Sequence, residues 1–241
     1  MNEMRAGPGR IEKTLIRWLM RPATVTAVEP LSARFRLIDL AGDALQGVVW
    51  RPGQKIQVML GGLFTARTYT PMEWDARGST RILAWSHGAG PGSDWATGLA
   101  EGDECQFFGP RRSLDVADIE GPLVLFGDET SFGLAAALTG MSGRTPPPQL
   151  LFEVSDAGEC GPVLQATALG AATLVERRAD SSHMPDLESR ITQLAQGDAT
   201  FVLTGRAQAI QRLNRALRMA GVGSTRLRSK AYWAPGKAGL D

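Results

Sequence analysis

The hydrophobic pattern of this chain changes near residue 121, and that change constrains the fold more than any other feature. Before it, short runs of alternating apolar and polar residues are separated by turns rich in glycine and proline. After it, continuous apolar runs such as Leu123–Phe126 alternate with segments of helical spacing. Alternation predicts antiparallel strands with one solvated face, whereas an unbroken apolar run is typical of a strand buried on both faces. We therefore predict two domains of different architecture, residues 1–116 and residues 117–241.

The first domain is predicted to be an antiparallel barrel or sandwich, because short strands recur between regularly spaced turns. Its candidate strands are Ala23–Glu29, Phe35–Leu40, Lys55–Leu60, Thr65–Thr70, Arg81–Ser86 and Glu104–Phe108. Ahead of them, apolar residues recur at helical spacing over residues 11–20, which predicts a short amphipathic helix that ends before Pro22.

The second domain is predicted to be a parallel, doubly wound sheet, because strands alternate with helices. Its candidate strands are Leu123–Phe126, Leu150–Val154, Ala172–Glu176 and Thr200–Leu203, and its candidate helices are Phe132–Met141, Pro162–Thr167, Pro185–Ala195 and Ala207–Ala220. Ligands bind beyond the carboxyl ends of such strands, where Gly127-Asp128 and Gly205-Arg206 lie. The dinucleotide fingerprint G-x-G-x-x-G is absent from the chain, so ordinary glycine turns at strand ends remain the alternative interpretation.

Composition excludes several classes of function. The chain has 241 residues with a net charge of +1, so it has no overall basic field that would predict nucleic-acid binding. No apolar run approaches the roughly 18 residues that a membrane-spanning helix needs. The first ten residues lack the apolar core of a secretory signal, which favours a cytoplasmic location. The sequence carries no signal for an oligomeric state.

Cysteine and histidine usage argues against a metal site. Cys105 and Cys160 lie far apart, and neither His87 nor His183 neighbours a cluster of ligands. Metal and iron–sulfur sites need more ligands at short spacing, so we expect two buried structural thiols and no metal centre. Any redox chemistry must then come from a bound organic cofactor.

The segment from Arg67 to Met72, Arg-Thr-Tyr-Thr-Pro-Met, is the strongest candidate for binding such a cofactor. On an extended segment Arg67 and Tyr69 project to one side. Arginine can hold a phosphate with two hydrogen bonds, and tyrosine offers a face for stacking, so the pair suits a flat anionic cofactor. The alternative is an ordinary edge strand in which the tyrosine packs and the arginine is solvated.

Two further stretches carry candidate sites. Residues 87–96 combine glycines with Ser93, which is expected to cap a helix beginning near Asp94 and so form an anion site; a flexible surface loop is the alternative.

Near the end of the chain, a period of two places basic side chains and Tyr232 on one face of a strand. This stripe either guides an anionic substrate or only protects an edge strand from aggregation. Its basic members are Arg226, Arg228 and Lys230, with Lys237 beyond them.

These motifs together resemble the ferredoxin–NADP reductase superfamily and, in more detail, the siderophore-interacting protein family of ferric-siderophore reductases. The matching stretches, in family order, are Arg67–Thr70, His87–Pro91 with Trp95-Ala96, Phe108–Arg111, Gly127–Thr130, and Lys230–Trp233 with Gly236. The resemblance implies a Greek-key β-barrel that binds FAD, followed by a parallel-sheet domain like those that bind NADPH or NADH.

The resemblance also implies roles for individual residues. Arg67 would hold the flavin phosphates, Tyr69 would stack on the flavin, and the turn before Ser93 would receive the pyrophosphate. The implied cofactor-binding residues are Arg67, Thr68, Tyr69, Thr70, His87, Gly88, Ala89, Gly90, Ser93, Trp95, Asp128, Thr130, Tyr232 and Trp233. The substrate, a ferric siderophore or another ferric chelate, would meet Arg226, Arg228, Lys230 and Lys237. No catalytic acid or base is expected.

Three positions depart from the family pattern. Met72 stands where the family usually has a second arginine, which removes one contact to FAD. Ser131 to Leu134 replace the usual small, apolar, Pro-Ala sequence. Arg206 replaces a glutamate, and its reversed charge either favours the extra phosphate of NADPH or blocks the nucleotide.

The expected function is therefore FAD-dependent reduction of a ferric siderophore, with electrons from NADPH or NADH. The alternatives are a general flavin reductase that uses quinones or free flavin, and a non-catalytic protein that binds a siderophore or a flavin.

Overall fold

The computed structural model describes residues 20–62, 65–88, 90–141 and 144–236. The predicted amphipathic helix at residues 11–20 lies outside them, except for Met20, which begins the first strand. In the described residues, an antiparallel sheet is followed by a parallel one, which confirms the predicted fold class. The boundary between residues 116 and 117 stays a prediction.

The antiparallel sheet has seven strands in the order β4-β3-β7-β1-β2-β6-β5. They are β1 (Met20–Pro30), β2 (Phe35–Ala41), β3 (Lys55–Gly62), β4 (Thr65–Tyr69), β5 (Pro71–Asp75), β6 (Ser79–Trp85) and β7 (Glu104–Arg111). Edge strands β4 and β5 are joined by Thr70 alone. The sheet must therefore curl until its two edges meet at Thr70, as a barrel does.

Strand β5 was not predicted from the sequence. Its first residue is Pro71, and a proline normally argues against a strand. A proline is nevertheless tolerated at the first position of an edge strand, where its missing N–H removes no ladder bond, and β5 pairs only with β6 in the sheet order.

The parallel sheet has five strands in the order β10-β9-β8-β11-β12. They are β8 (Leu123–Gly127), β9 (Gln149–Val154), β10 (Thr173–Glu176), β11 (Thr200–Arg206) and β12 (Leu227–Trp233). The strand order reverses between β8 and β11. This switch point is where open parallel sheets leave a crevice for a ligand.

The helices are α1 (Pro91–Gly98) before β7, then α2 (Phe132–Thr139), α3 (Ala157–Ala166), α4 (Met184–Leu194) and α5 (Ala207–Met219). Helix α3 begins five residues before the predicted start at Pro162, because the Asp156 carboxylate accepts a hydrogen bond from the Glu159 N–H and caps the helix. The unbroken run in β8 is buried on both faces, since Leu125 packs toward α2 and α3 and Phe126 toward α4 and α5.

Contacts between the two sheets fix the position of the site. The rings of Phe35 and Phe132 stack with centroids 5.6 Å apart, and Phe132 meets Phe152 edge to face at 4.8 Å. Above this stack, Glu159 of α3 accepts hydrogen bonds from the Ser32 hydroxyl (2.7 Å) and the Arg34 N–H (3.0 Å) of the β1–β2 turn. An aromatic core and a charged clamp therefore hold the parallel sheet against the curled one.

The two cysteines are buried and free, as predicted. Burial raises the pKa of Cys105 to about 11 and that of Cys160 to about 12, so both thiols are protonated at neutral pH and unreactive. Within the described residues no group of three or more His, Cys, Asp or Glu side chains is placed to bind a metal ion.

Candidate functional site

The Arg67–Thr70 segment lies where the curled sheet closes, and helix α1 covers it. A Cβ placed on Gly92 of α1 would lie 3.0 Å from the Arg67 Cγ atom, and the Trp95 ring lies 5.6 Å from the Tyr69 ring. The Arg67 guanidinium is exposed and donates to the Ala66 carbonyl at 2.9 Å. Burial raises the pKa of Tyr69 above its ordinary value, with the Arg67 charge opposing the shift, so the phenol stays neutral.

Helix α1 begins earlier than the sequence predicted. Pro91 takes the first helical position, where a proline is well tolerated, and Gly90 precedes it at φ 134°. Ser93 therefore lies inside the helix, so the expected Ser93 cap is wrong. Its side-chain oxygen is buried and has no hydrogen-bond partner among the described residues. The start of α1 presents free backbone N–H groups behind Gly88 and Gly90, an arrangement that suits an anion.

The two sheets meet at Thr70. A Cβ on Gly133, in the first turn of α2, would lie 2.9 Å from the Thr70 carbonyl oxygen and 3.9 Å from the Met72 Cγ atom. Only a residue without a side chain allows α2 to approach β4 and β5 so closely. The departures at Met72 and Gly133 thus lie against each other, and Met72 faces α2 across this contact.

A buried carboxylate, Asp128, organises the switch point. Its Oδ2 accepts the indole N–H of Trp233 at 2.7 Å, and its Oδ1 accepts the Thr130 N–H at 3.0 Å. A Cβ on Gly205 would lie 2.4 Å from the same Oδ2, which leaves no space for a side chain. Gly205 also has a φ of 94°, a backbone conformation that favours glycine. Three predicted stretches, distant in sequence, meet on this one side chain.

The charge of Asp128 is poorly compensated. Burial raises the pKa of Asp128 to about 6, while the hydrogen bonds from Thr130 and Trp233 act in the opposite direction. The carboxyl group therefore changes its charge just below neutral pH.

Sequence reasoning gave no role to Arg177, which lies against Trp233, or to its partner Glu129, although Glu129 belongs to the Gly127–Thr130 stretch. The Arg177 guanidinium lies 5.6 Å from the centroid of the Trp233 ring and 3.5 Å from the buried Glu129 carboxylate. Glu129 in turn accepts the Ser155 N–H at 2.5 Å. Each residue follows the end of a parallel strand, and that position was the available signal, because such residues share one edge of the sheet.

The expectation for Arg206 is wrong. Its guanidinium is buried and pairs with the Glu153 carboxylate, with 3.1 Å between Arg206 Nε and Glu153 Oε2. The same carboxylate lies 2.6 Å from His183 Nε2, whereas His183 Nδ1 accepts the Arg178 N–H at 3.0 Å. Arg206 is neutralised inside the protein, because β9 supplies the matching carboxylate, and it does not offer its charge to a nucleotide.

The predicted basic stripe is present in part: Arg228, Lys230 and Tyr232 lie at alternate positions of β12, whereas Arg226 lies before the strand. Arg226 lies in a 3-10 turn before β12 and donates to the carbonyls of Gly197 and Ala199, and Arg228 donates to the Thr225 carbonyl. Because β12 runs parallel to its neighbour, both arginines lie at the amino end of the sheet, roughly 20 Å along the strand from Trp233. Lys230 lies midway along β12.

The remaining predicted residues are placed as follows. His87 is exposed with its ring 5.7 Å from that of Trp85, while Thr68 on β4 and Tyr232 on β12 are half-buried. Ala89 and Lys237 lie outside the described residues. None of the helices in the described part of the chain combines the length and the apolar character that crossing a membrane requires.

Comparison with known proteins agrees with this architecture. Along 97% of its length the chain is 25% identical to the NADPH-dependent ferric-chelate reductase of Escherichia coli (strain K12), of which 99% is covered. Its fold matches the siderophore-interacting protein SipS from Aeromonas hydrophila with a TM-score of 0.72, at 21% identity over 91% of this chain and 93% of that one. The ferredoxin reductase in carbazole 1,9a-dioxygenase matches with a TM-score of 0.73, at 16% identity over 89% of this chain and 69% of that one.

Two family models match separate parts of the chain. Residues 63–114 match the siderophore-interacting FAD-binding domain, and residues 122–236 match the siderophore-interacting protein model. The first range contains the Arg67–Thr70 segment and α1, and the second contains the Asp128–Trp233 network. The chain belongs to the siderophore-interacting protein family.

Proposed function

We propose that this protein is an FAD-dependent reductase that takes electrons from NADPH and reduces the ferric iron of a siderophore or a similar chelate. The observation that carries the proposal is the contact of Thr70 with Gly133. It brings the segment suited to a flavin against the helix that follows the switch point. Donor and flavin sites in contact are what electron transfer between two cofactors requires.

The residues around Tyr69 fit FAD. The exposed Arg67 guanidinium is available for a phosphate, the half-buried Tyr69 ring offers an apolar face, and the start of α1 offers N–H groups. The unpartnered Ser93 hydroxyl adds a donor at the same place. We assign to FAD the contacting residues Arg67, Thr68, Tyr69, Thr70, His87, Gly88, Ala89, Gly90, Ser93 and Trp95.

The switch-point residues Asp128, Thr130, Tyr232 and Trp233 form the opposite wall of the proposed site. Asp128 positions the Trp233 indole through its N–H, and Arg177 lies against the same ring. These contacts fix the position of an aromatic ring at the carboxyl edge of the parallel sheet. When bound, FAD supplies the chemistry that turns a two-electron donor into single-electron reduction of iron.

The substrate is proposed to approach over basic residues. Among the described members of the predicted group Lys230 is the best placed, since Arg226 and Arg228 bond to carbonyls at the far end of β12. Reversing Lys230 to glutamate is expected to raise the Michaelis constant for an anionic ferric chelate several-fold and to leave flavin content unchanged, because attraction of the chelate is lost. Arg228→Glu is the matched comparison: an equal rise in both variants supports the whole stripe, and no rise in either contradicts it.

The proposal is tested by an absorption spectrum of the protein loaded with FAD, before and after NADPH is added without oxygen. Bleaching of the flavin band, followed by Fe(II) release when a ferric siderophore is added, supports the proposal. Bleaching without Fe(II) release indicates a general flavin reductase. Bound flavin that NADPH does not bleach indicates a binding protein, and failure to bind flavin contradicts the assignment of Arg67 and Tyr69.

The proposal includes a cytoplasmic location and two folding units that divide near residue 116. Fractionation of cells tests the first. Limited proteolysis tests the second, since cleavage is expected in the connection between β7 and β8, residues 112–122, if the units are separable.

A further inference from the structure

We infer that the end of the molecule opposite the candidate site is a docking surface for an anionic lipid membrane. The first observation is an uneven distribution of charge: from Ala207 to Trp233, the range that covers α5 and β12, the chain has basic residues and no aspartate or glutamate. The basic residues are Arg212, Arg215, Arg218, Arg226, Arg228 and Lys230. The whole chain has a net charge of only +1, so the rest of it is net negative. An asymmetry of this kind favours binding to an anionic surface.

The five arginines of this range gather on the exposed face of α5 and at the amino end of the parallel sheet. Arg212, Arg215 and Arg218 are exposed and lie three residues apart on α5, within an arc of about 120°. Helix α5 connects β11 to the parallel strand β12, so α5 ends where β12 begins. Arg226 and Arg228, at the start of β12, therefore lie at the same end as the last turn of α5. We call these five arginines the basic end.

Part of this charge has no partner inside the protein. Arg212 pairs with Glu188 of α4, with 2.8 Å between Arg212 Nε and a carboxylate oxygen of Glu188. Neither Arg215 nor Arg218 forms an ion pair with a described residue. Two solvated cations of α5 are therefore available to an external anion.

Carboxylates near the basic end offset only some of the remaining charge. Asp198 lies in the loop whose carbonyls accept hydrogen bonds from Arg226. Asp115 pairs with Arg112, whose hydrogen bond lowers the pKa of Asp115 most, and the charge of Arg228 adds to that shift. These carboxylates act on Arg226 and Arg228, so they leave the exposed face of α5 positively charged.

An exposed apolar side chain makes a lipid surface the best fit among anionic partners. Met219 follows Arg218 at the end of α5 and is 83% exposed. It lies about 20° around the helix from Arg212, so it projects from the same face as the arginines. A bilayer offers anionic headgroups to the arginines and acyl chains to the methionine, whereas a nucleic acid offers only the anions.

Docking through the basic end leaves the candidate site open. Asp128, Gly205 and Trp233 lie at the carboxyl ends of the parallel strands, whereas the basic end lies at their amino ends. Helix α5 has 13 residues and is about 20 Å long, which sets the distance between the two ends. A membrane at the basic end therefore does not cover the site, and the inference holds whether or not the proposed reductase activity is correct.

The test is sedimentation of the full chain with lipid vesicles. One preparation contains phosphatidylcholine alone, and the other contains about one third phosphatidylglycerol, an anionic lipid. At about 50 mM salt we expect at least about tenfold tighter binding to the anionic vesicles, and this preference should weaken as the salt concentration rises, because ions screen the arginines. Equal binding to both preparations, or binding to neither, overturns the inference.

Two double variants locate the surface. Arg215→Gln with Arg218→Gln removes the unpaired cations and keeps good helix formers. Each basic side chain near an anionic surface strengthens binding about fivefold, so we expect a loss of about tenfold or more. The matched control is Arg77→Gln with Arg178→Gln, which removes the same charge from exposed positions in the β5–β6 turn and after β10. The control should change the affinity by less than about twofold, and equal losses in both double variants overturn the assignment to the basic end.

A further variant separates a lipid from other anionic partners. Met219→Ser removes the apolar side chain without changing the charge, and we expect it to lower the affinity for anionic vesicles about threefold or more while binding to a short DNA duplex stays unchanged. A wild-type protein that binds the duplex as tightly as the vesicles, or a Met219→Ser variant that binds vesicles as well as the wild type does, contradicts the lipid assignment. All the substituted side chains are exposed, so circular dichroism of each variant should match that of the wild type.

Discussion

Asp128 and Glu153 are both buried carboxylates at the carboxyl end of the parallel sheet, yet their surroundings differ. Glu153 on β9 is paired with the Arg206 guanidinium and bonded to His183, so its charge is matched within the protein. Asp128, after β8, receives hydrogen bonds from the neutral groups of Thr130 and Trp233, and burial raises its pKa to about 6. Position at the carboxyl edge is thus insufficient to mark a working site. The unmatched charge distinguishes the proposed functional region from the structural one.

The largest expected effect on stability comes from breaking the buried ion pair between Glu153 and Arg206. Arg206→Met leaves the Glu153 carboxylate buried without its cation and should lower the free energy of unfolding by about 3–5 kcal/mol. Urea unfolding measures the change. The exposed Arg212–Glu188 pair is the control, since Arg212→Met should cost about 1 kcal/mol or less.

The double variant Glu153→Gln with Arg206→Met should recover much of that loss, because the unpaired charge is removed. If Arg206→Met lowers the free energy of unfolding no more than Arg212→Met does, Arg206 is not needed to compensate the buried charge of Glu153. The contrast between Glu153 and Asp128 would then be wrong.

The variant Asp128→Asn tests whether the Asp128 charge is unmatched, because the stability of the wild type relative to this variant should depend on pH. A carboxyl whose folded pKa is about 6, against 3.8 for the unfolded chain, stabilises the fold below pH 3.8, and this contribution is lost as pH rises through 6. The stability of the wild type relative to Asp128→Asn should therefore fall by about 3 kcal/mol between pH 3.5 and pH 7. Denaturant unfolding of both proteins across that range measures the difference; a difference that stays constant with pH would show that Asp128 is not desolvated.

A third carboxylate, Glu159, extends the comparison to the contact between the sheets. Its pKa is lowered because the hydrogen bonds from Arg34 and Ser32 outweigh the opposing effect of burial. Its stabilising contribution is therefore present above the ordinary carboxyl pKa and is lost on acidification. Glu159→Gln should lower the free energy of unfolding by about 1–2 kcal/mol at pH 7.

The control for this prediction is Asp115→Asn, which breaks the exposed Arg112–Asp115 pair and should leave the free energy of unfolding nearly unchanged, because solvent screens that pair. Equal effects of the two variants in thermal or urea unfolding would mean that the Glu159 clamp contributes no more than a surface ion pair.

Most secondary structure was predictable because it depends on local periodicity. The alternating strands, the apolar run of β8 and the amphipathic α5 all followed from the spacing of apolar residues. The errors have local causes that spacing does not reveal. Pro71 opened an unexpected edge strand, and Pro91 began α1 ahead of the presumed Ser93 cap.

The sequence by itself therefore determined the two kinds of sheet, the motifs at the ends of their strands and the family to which the chain belongs. Only the tertiary structure decided which of those motifs meet. Asp128 and Trp233 are 105 residues apart and share a hydrogen bond, whereas Arg226 and Arg228, close to Trp233 in sequence, lie at the opposite end of the strand. The physical reason is that strand order and register determine which charged residues meet, as Arg206 and Glu153 do. Strand order and register arise from packing of the whole chain rather than from any local pattern.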